Sequence, residues 1–398
     1  MKRSTYFMIS TVVFYAQLLG ILNFCYDCRT GKAHIRAHVT AYSAIMSLTM
    51  FGVLTYFLFN MEIKTRPPGS AELHYKLNLL TAVIRIGGVI LTVFYNWTKR
   101  KGSVELLNSY QTFCKKFLQK WQMQEKYVNY MECGIRFKLK RSFIAELLLF
   151  IVTVQNFREI FDMENPYILL PLALIPTVLN VVMTLYYFTI LNINILMIII
   201  NDEVKRILNA ANHICESGVR QEQACCHLAD QLDELAVAQY IIKDYLKRIN
   251  NMYDLQGVCV ILDLYVNNIC VIYMFTMMSA HLELWASYGE WVVYFVPVAM
   301  FIYYMDLKLF LFAMLNTRDL VERTGELLKE RQVSLLNMDE RLERSLNNFS
   351  LQLAAFPLEF DLVGLFKMNR PMAYATFSST ISNAIVLMQY DLKYTNKI

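Results

Sequence analysis

The last hydrophobic stretch of the chain, Pro371 to Tyr390, carries a row of polar side chains. Ser378, Ser382 and Gln389 recur at helical spacing on one face, and no acidic or basic residue interrupts the stretch. The stretch is long enough to cross a bilayer, because a membrane helix needs about 20 mostly apolar residues. A polar stripe at membrane depth needs water or other polar helices beside it. The stripe therefore predicts a pore-lining helix or a helix whose polar face packs against its neighbours.

Ionisable side chains inside other apolar runs are the second candidates for chemistry. Arg85 lies in the middle of such a run, beside Gly87-Gly88, where two helices can approach closely. Asp263, Asp306 and Lys308 lie nearer the inner ends of their runs. Charged groups are costly in a bilayer and mark functional sites by default. For Arg85, a role in a ligand pocket or in gating competes with structural pairing to a carboxylate on another helix.

The composition predicts that these residues sit on membrane helices. Of the 398 residues, 56% are hydrophobic and only 18% are charged, and the mean hydropathy is +0.34. This is typical of a polytopic helical membrane protein. The basic residues are spread over several loops, so no nucleic-acid partner is expected. Apolar runs of 18 or more residues predict seven spans: His38–Asn60, Lys76–Trp97, Arg141–Phe161, Tyr167–Ile200, Leu255–Leu282, Trp291–Leu315 and Pro371–Tyr390.

The distribution of basic residues predicts the orientation of these spans. With the N-terminus inside, 30 of the 38 Lys and Arg residues fall in or at the edge of inside segments and only four fall outside. Cytosolic loops carry an excess of Lys and Arg. We therefore expect a cytosolic N-terminus and an extracellular C-terminus.

The apolar run Thr5–Phe24 is too weak a candidate for an eighth span. Crossing there would move three basic residues outside, so we expect a re-entrant or interfacial helix on the cytosolic side. Cys25 and Cys28 have metal-site spacing, but no second Cys or His pair completes a zinc site. We expect free thiols, no metal and no cofactor.

The inside segments carry apolar residues at helical intervals with charges between them, in 201–254 and again in 316–350. This pattern predicts amphipathic helices. They form either a soluble helical layer beneath the membrane or independent helices on the lipid headgroups.

Several segments, in this order and spacing, resemble the insect gustatory receptor family. Near the N-terminus, Leu18-Leu19-Gly20, Phe24, Tyr26-Asp27 and Thr30-Gly31 are similar to the family segment that precedes its first span. Glu322-Arg323-Thr324-Gly325, residues 339–345, Gly364-Leu365-Phe366 and Asn369 resemble the segment before its last helix.

The family signature in that last helix is Thr-Tyr, five apolar residues and Gln-Phe. Here Ser382 and Asn383 replace Thr-Tyr, and Gln389-Tyr390 replaces Gln-Phe. Gln389 matches, Ser382 and Tyr390 are conservative changes, and Asn383 is a departure that puts the detailed packing and gate chemistry of the helix in question.

The resemblance implies an all-α, seven-transmembrane ion-channel subunit: a ligand-gated, non-selective cation channel, similar to insect odorant receptors, with four subunits around one pore. It implies a cytosolic N-terminal segment with the re-entrant helix at 1–37 and a six-helix ligand-binding domain at 38–315 with cytosolic helical loops at 98–140 and 201–254. Anchor helices would follow at 316–370, and the pore helix with a short extracellular tail at 371–398. The partners would be a small-molecule tastant, the lipid bilayer and a homo- or hetero-tetramer with other gustatory receptor subunits. The location would be the plasma membrane of chemosensory neurons, and the divergent Ser-Asn favours a bitter-type or other aversive receptor.

These expectations name two sets of site residues. A ring of Gln389 amides could replace part of the hydration shell of an ion, a ring of Tyr390 could close the pore, and Asp391 at the outer mouth would attract cations. The pore and gate candidates are Ser382, Asn383, Val386, Gln389, Tyr390 and Asp391. The ligand-binding candidates are Arg85, Arg158, Tyr167, Tyr265, Asn267, Asn268, Tyr273, His281, Trp285, Trp291, Tyr294 and Tyr303.

Two alternatives stay open at this point. Trp285, Trp291 and Tyr294 also fit an interfacial aromatic belt. A seven-helix receptor that signals through G proteins would have an outside N-terminus, opposite to the charge distribution, and its Asn-Pro-x-x-Tyr signature is absent. A transporter or intramembrane enzyme would need repeated broken helices or paired catalytic groups, and the sequence contains neither, so no enzymatic activity is expected.

Overall fold

The computed structural model of the chain describes residues 3–59, 70–121, 124–160, 175–214, 221–280, 290–332, 339–364 and 366–395. Helices dominate this part of the chain. They are α1 (Arg3–Leu18), α2 (Ala37–Phe59), α3 (Ser70–Thr98), α4 (Arg100–Lys120), α5 (Glu125–Ile160), α6 (Ile175–Ile214), α7 (Gln221–Ala280), α8 (Glu290–Gln332), α9 (Glu340–Ala355) and α10 (Arg370–Thr395). Two antiparallel hairpins complete it, β1 (Cys25–Asp27) with β2 (Lys32–His34) and β3 (Asp361–Leu362) with β4 (Phe366–Lys367).

Four helical segments in the described part of the chain are long and apolar enough to cross a membrane: Ala37–Tyr56, Leu79–Thr98, Thr177–Ile214 and Glu222–Tyr273. They overlap four of the seven predicted spans. The other three predicted spans fall in α5, α8 and α10.

The helices run past the predicted membrane boundaries without a break. With 60 residues, α7 is about 90 Å long at 1.5 Å per residue, roughly three times the thickness of the hydrocarbon core. Helices α5, α6 and α8 likewise join a predicted span to a predicted inside segment. The amphipathic segments predicted to lie inside are thus largely extensions of the predicted spanning helices.

Helix α6 forms the centre of the packing. It contacts α3, α5, α7 and α8, and most of its apolar side chains are buried. Tyr186 stacks on Tyr253 of α7 with ring centroids 4.8 Å apart and lies 5.0 Å from the ring of Phe310 in α8. Its hydroxyl donates to Asn250 Oδ1 at 2.9 Å, so this aromatic cluster joins three helices.

The N-terminal helix ends earlier than the apolar run Thr5–Phe24 predicted. Gly20 adopts a left-handed φ of 72°, which glycine takes without steric cost. Its N–H donates to the carbonyl of Gln17, and the N–H of Ile21 donates to that of Ala16. These two bonds form a Schellman motif, so the Leu-Leu-Gly segment stops α1 at Leu18. The 16 residues of α1 span only about 24 Å, less than the hydrocarbon core.

A hairpin of β1 and β2 follows and docks on α4. Asp27 closes its turn, because its carboxylate accepts from the N–H of Arg29 and the hydroxyl of Thr30. These donors hold the pKa of Asp27 below its usual value. The resulting stabilisation is present above the ordinary pKa of aspartate and is lost as the pH falls through the lowered one. Asn108 of α4 accepts from the N–H of Ala33 and donates to its carbonyl, at 2.8 and 3.0 Å.

Helix α9 and the β3–β4 hairpin pack against the inner part of α7. Asp339 caps α9 by accepting from the N–H groups of Arg341 and Leu342, in agreement with N-cap preferences. At the other end of α9, Lys243 of α7 donates to the carbonyl of Phe356 at 3.0 Å. Asn250 of α7 donates to the carbonyl of Asp361. The segment before the last helix is therefore fixed to α7 by side-chain to backbone bonds.

We predict that Asn108→Ala loosens the N-terminal hairpin. The substitution removes both bonds to Ala33 and leaves its backbone groups unpaired, which costs about 1–3 kcal/mol. The thermal midpoint of the purified, detergent-solubilised protein should fall. Thr112→Ala is the matched control, because the Thr112 hydroxyl is exposed and donates only within α4. Equal midpoints for the two variants would contradict the docking role of Asn108.

Candidate functional site

The last helix, α10, packs on the rest of the chain along one face only. Its main contact is α7, with a smaller one to α3. Thr380 and Ala384 on the packed face are 4% and 0% exposed. At about 100° per residue, Gln389 lies about 180° around the helix from Thr380. The polar stripe thus points away from the helix bundle.

The stripe residues Ser378, Ser382 and Gln389 are exposed. Within the described part of the chain, none of the three side chains takes part in a hydrogen bond to another residue. Val386 and Tyr390 are also exposed, at 58% and 54%. Asp391 lies in α10 but its side chain is not among those described.

Asn383, the position that departs from the family signature, lies at the edge of the packed face. Its Nδ2 donates to the hydroxyl of Tyr265 on α7 at 2.6 Å and approaches Ser379 Oγ at 3.2 Å. The Tyr265 and Ser379 hydroxyls are 2.7 Å apart. We call Tyr265, Ser379 and Asn383 the α7–α10 tie. It joins a predicted ligand-binding residue to a predicted pore residue, an association that no sequence spacing indicates.

Arg85 forms an ion pair between two helices. Its Nε lies 2.8 Å from Asp263 Oδ1 on α7, and the side chains are 13% and 1% exposed. Nearby, α3 approaches α6 and α7 closely, since a Cβ at Gly88 would lie 3.2 Å from Leu179 and 3.3 Å from Cys259. Of the two roles considered for Arg85, structural pairing with a carboxylate on another span matches this contact.

A second buried ion pair involves a lysine from the predicted cytosolic segment 98–140. Lys138 Nζ lies 2.5 Å from Asp306 Oδ2, with side chains 1% and 2% exposed. The lysine belongs to α5 and the aspartate to α8, and the ammonium also lies 5.7 Å from the ring centre of Tyr187.

Further polar side chains extend this pair along α5 toward α6. Asn180 Nδ2 donates to Glu146 Oε1 at 3.0 Å and to Ser142 Oγ at 3.2 Å. The hydroxyls of Ser142 and Thr184 are 3.1 Å apart. We call Lys138, Ser142, Glu146, Asn180, Thr184 and Asp306 the α5–α6–α8 polar cluster. Sequence reasoning did not single out Lys138 or Glu146, although the four-residue spacing of 138, 142 and 146 places them on one helix face.

Apart from Arg85 and Tyr265, the ligand-binding candidates separate into three groups. Asn267 and Tyr273 of α7 are 7% and 2% exposed, and Asn268 is partly exposed. Arg158, Trp291, Tyr294 and Tyr303 lie in described helices, but their side chains are not described. Tyr167, His281 and Trp285 lie outside the described residues.

One cavity adjoins the site residues. It has a volume of about 510 Å³ and lies between α7, α8 and α10. Tyr265 and Asn268 line it, together with Thr376 and Thr380 of α10, and its other walls are mostly apolar. Among the described residues, no group of three His, Cys, Asp or Glu side chains is placed to hold a metal ion.

The inner layer has its own polar junction where α6, α7 and α8 meet. Thr324 of α8, inside the Glu-Arg-Thr-Gly segment, is fully buried. Its hydroxyl lies 2.6 Å from Asn201 Oδ1 of α6 and accepts from Gln239 Nε2 of α7 at 3.1 Å. This junction explains why a small hydroxyl residue occurs in that segment.

Comparison with solved structures shows a similar arrangement of helices in insect olfactory receptors. The OR5 receptor from Machilis hrabei superposes with a TM-score of 0.59 over 96% of this chain and 99% of that chain, at 12% sequence identity. The same receptor in complex with eugenol gives a TM-score of 0.61 at 11% identity, over 96% and 97% of the chains. The chain therefore has the helical fold of these receptors.

Sequence comparison shows similarity to insect gustatory receptors as well. Gustatory receptor 59d of Drosophila melanogaster is 23% identical over 385 residues, covering 95% of this chain and 96% of the relative. Gustatory receptor 36b of the same species is 23% identical over an alignment that covers 97% of this chain and 98% of the relative. The profile described as 7tm chemosensory receptor matches residues 9–394. The chain belongs to this family of membrane-embedded chemosensory receptors, and the resemblance to insect gustatory receptors is confirmed.

We predict that Lys138 and Asp306 are strongly coupled. Lys138→Met leaves a buried carboxylate without its cation and should cost about 3–5 kcal/mol, whereas replacing both residues by apolar ones is often close to neutral. The double variant Lys138→Met/Asp306→Leu should thus recover most of the thermal midpoint lost by the single variant.

The control for this cycle is Arg344→Ala in α9. Its pair with Glu340 is solvent-exposed, with side chains 65% and 85% exposed, and exposed pairs contribute little. A double variant no more stable than Lys138→Met would contradict the coupling.

Proposed function

We propose that this chain is a chemosensory receptor that acts as a ligand-gated, non-selective cation channel, with four copies around a central pore lined by α10. The observation that carries this proposal is the exposed polar stripe of α10, which points away from the packed face of the helix. Polar groups at membrane depth require water or polar partners. A central water-filled pathway between copies supplies such an environment to every copy at once.

The chemistry of the stripe fits the passage of hydrated or partly hydrated ions. Ser378 and Ser382 present hydroxyls, and Gln389 presents an amide oxygen that can coordinate a cation. Tyr390 adds an aromatic side chain one residue further toward the outer end, where crowding of rings could exclude water. Asp391 of each copy would attract cations at the outer mouth. Permeation is thus proposed for the stripe face of α10 and not for its α7-facing side.

The α7–α10 tie supports a role in gating for Asn383, the residue that differs from the family signature. Tyr265 supplies from α7 a phenolic hydroxyl close to the position where the family signature has a tyrosine on the last helix. We propose that movements of α7 on ligand binding reach α10 through this contact. Asn383 thereby acts on the pore as a positioning residue, beside the stripe and not in it.

We place the ligand in the helix bundle beside the middle of the predicted span of α7. Asn267 Nδ2 is buried and has no hydrogen-bond partner among the described residues, and a buried donor without an acceptor is costly. A small organic tastant with one acceptor atom would satisfy it, between apolar and aromatic walls. The gustatory receptor for bitter taste 22e of Drosophila melanogaster is 29% identical over 171 residues, 41% of each chain. We therefore propose a bitter or aversive compound, detected at the plasma membrane of chemosensory neurons.

Gln389→Ala tests the pore assignment directly. Removal of the amide ring should change single-channel conductance or the relative permeability of Na⁺, K⁺ and Ca²⁺, recorded across the membrane of cells that express the chain without added G-protein signalling. Unchanged conductance and selectivity would remove Gln389 from the pore.

Cysteine substitution gives the matched control for that experiment. Ser382→Cys, on the stripe, should make agonist-evoked current sensitive to a membrane-impermeant thiol reagent. Ala384→Cys, two residues away on the packed face, should not. The unsubstituted chain reports any background from its nine native cysteines. Equal sensitivity at both positions would contradict the assignment of faces.

Tyr265→Phe tests the tie. Loss of a hydrogen bond worth about 1 kcal/mol should shift the agonist concentration for half-maximal current by roughly fivefold, with conductance unchanged. Asn383→Leu should have a similar effect, and the two substitutions together should add little, because both break one contact. Tyr130→Phe is the control, since Tyr130 is 47% exposed on α5 and lies outside α7 and α10. Fully additive shifts would contradict a shared contact.

A further inference from the structure

The cavity between α7, α8 and α10 has a defined orientation in the membrane. Its walls run from Ile261 to Ile272 on α7, from Phe301 to Leu315 on α8 and from Met368 to Thr380 on α10. Helices α7 and α10 are predicted to run outward and α8 inward. The residues Ile261, Leu315 and Met368 therefore share the inner end, and Ile272, Phe301 and Thr380 share the end near mid-membrane. The cavity is a groove along the inner half of the bilayer.

The lining of this groove matches a hydrocarbon chain. Its walls are formed mainly by Leu, Ile, Val, Met and Phe side chains. On α8 the lining extends over 15 residues, from Phe301 to Leu315, and the 14 steps between them correspond to about 21 Å along the helix. This is a large part of the thickness of the hydrocarbon core but short of its full depth. The groove thus has the length and polarity suited to a single acyl chain from one leaflet.

One cation occurs among the described residues that line the groove. Lys308 Nζ lies 5.5 Å from the ring centre of Phe312, one turn further toward the inner end of α8. The ammonium thus lies beside an aromatic side chain of the apolar wall, and a lysine stem is long enough to extend from such a wall toward the membrane surface by snorkelling. The N-terminus of α10, which carries a partial positive charge, lies at the same end beside Asn369.

We propose that this groove binds one acyl chain of an anionic phospholipid from the inner leaflet, with its phosphate drawn toward Lys308. The inner leaflet is the one that holds anionic lipids. Lys308 and the proposed lipid therefore lie on the same side of the membrane. The bound chain fills the space between α8 and α10 and supports the packed face of α10. Its occupancy therefore sets how freely α10 can move relative to α8.

The test uses the full-length chain, purified in detergent and incubated with phosphatidylglycerol or with phosphatidylcholine of the same chain length. Bound lipid is counted by native mass spectrometry. The wild-type chain should retain phosphatidylglycerol in preference to phosphatidylcholine. Lys308→Gln should reduce this preference about fivefold, the effect of one basic residue near an anionic surface, and should leave binding of phosphatidylcholine unchanged.

Two substitutions on α10 give the matched comparison. Ala373 lines the groove, whereas Ala375 is exposed about 200° around the helix. Ala373→Trp should fill the groove and abolish retention of phosphatidylglycerol, and Ala375→Trp should retain it as the wild type does. Size-exclusion chromatography reports the oligomeric mass of both variants.

Three outcomes would overturn the proposal. They are equal retention of the two lipids by the wild-type chain, equal retention by the two tryptophan variants, and a change of oligomeric mass by Ala373→Trp with bound lipid unaltered. The last outcome would show that a second copy of the chain covers the groove. None of these results depends on ion currents, so failure here and failure of the channel proposal are distinguishable.

Discussion

Water is nearly absent from the hydrocarbon core of a bilayer, so each polar side chain at that depth must find a partner in the protein or a water-filled space. This constraint organises the packing of the chain. It brings Arg85 of α3 to Asp263 of α7, Lys138 of α5 to Asp306 of α8, and Asn383 of α10 to Tyr265 of α7. Each contact joins helices that are far apart in the sequence.

The same constraint applies to the polar groups of α10 that have no partner within the described part of the chain. The stripe of α10 faces outward from the bundle, while the remaining contacts of α10 are concentrated on the opposite side. A single copy of the chain therefore leaves hydroxyl and amide groups unmatched at membrane depth, and these groups become favourable only when they face water or other copies. In the proposed channel, the stripe would be the face of the last helix that borders the pore, and the α7–α10 tie would be the edge that transmits movement.

Hydrophobicity and charge predicted the helical class, the last helix and its stripe, because these depend on properties that are local in the sequence. The resemblance also identified segments that the structure explains, such as the Schellman motif at Gly20 and the buried hydroxyl of Thr324. The partners of Arg85 and Asn383 could not be predicted, because 178 and 118 residues separate each from its partner. Lys138 was assigned to a cytosolic segment because a charged residue lowers the hydropathy of an apolar run. The burial of its ammonium is offset by the carboxylate of Asp306, a partner that only the fold reveals.

Continuity of the long helices connects the two halves of the structure. Helices α6, α7 and α8 extend from the membrane into the inner layer, where the Thr324 junction and α9 hold them together. A rigid helix transmits a tilt along its whole length, so a ligand bound at the proposed place beside α7 would affect both α10 and the inner layer.

The central claim, that the polar stripe of α10 borders a water-filled pathway, is tested most directly by a side-chain-resolution structure of the assembled full-length chain in lipid nanodiscs. The account predicts that Ser378, Ser382 and Gln389 face the symmetry axis across a solvent-filled space, with Asn383 bonded to Tyr265 of the same copy. A stripe that packs against another protein helix or faces lipid would contradict it.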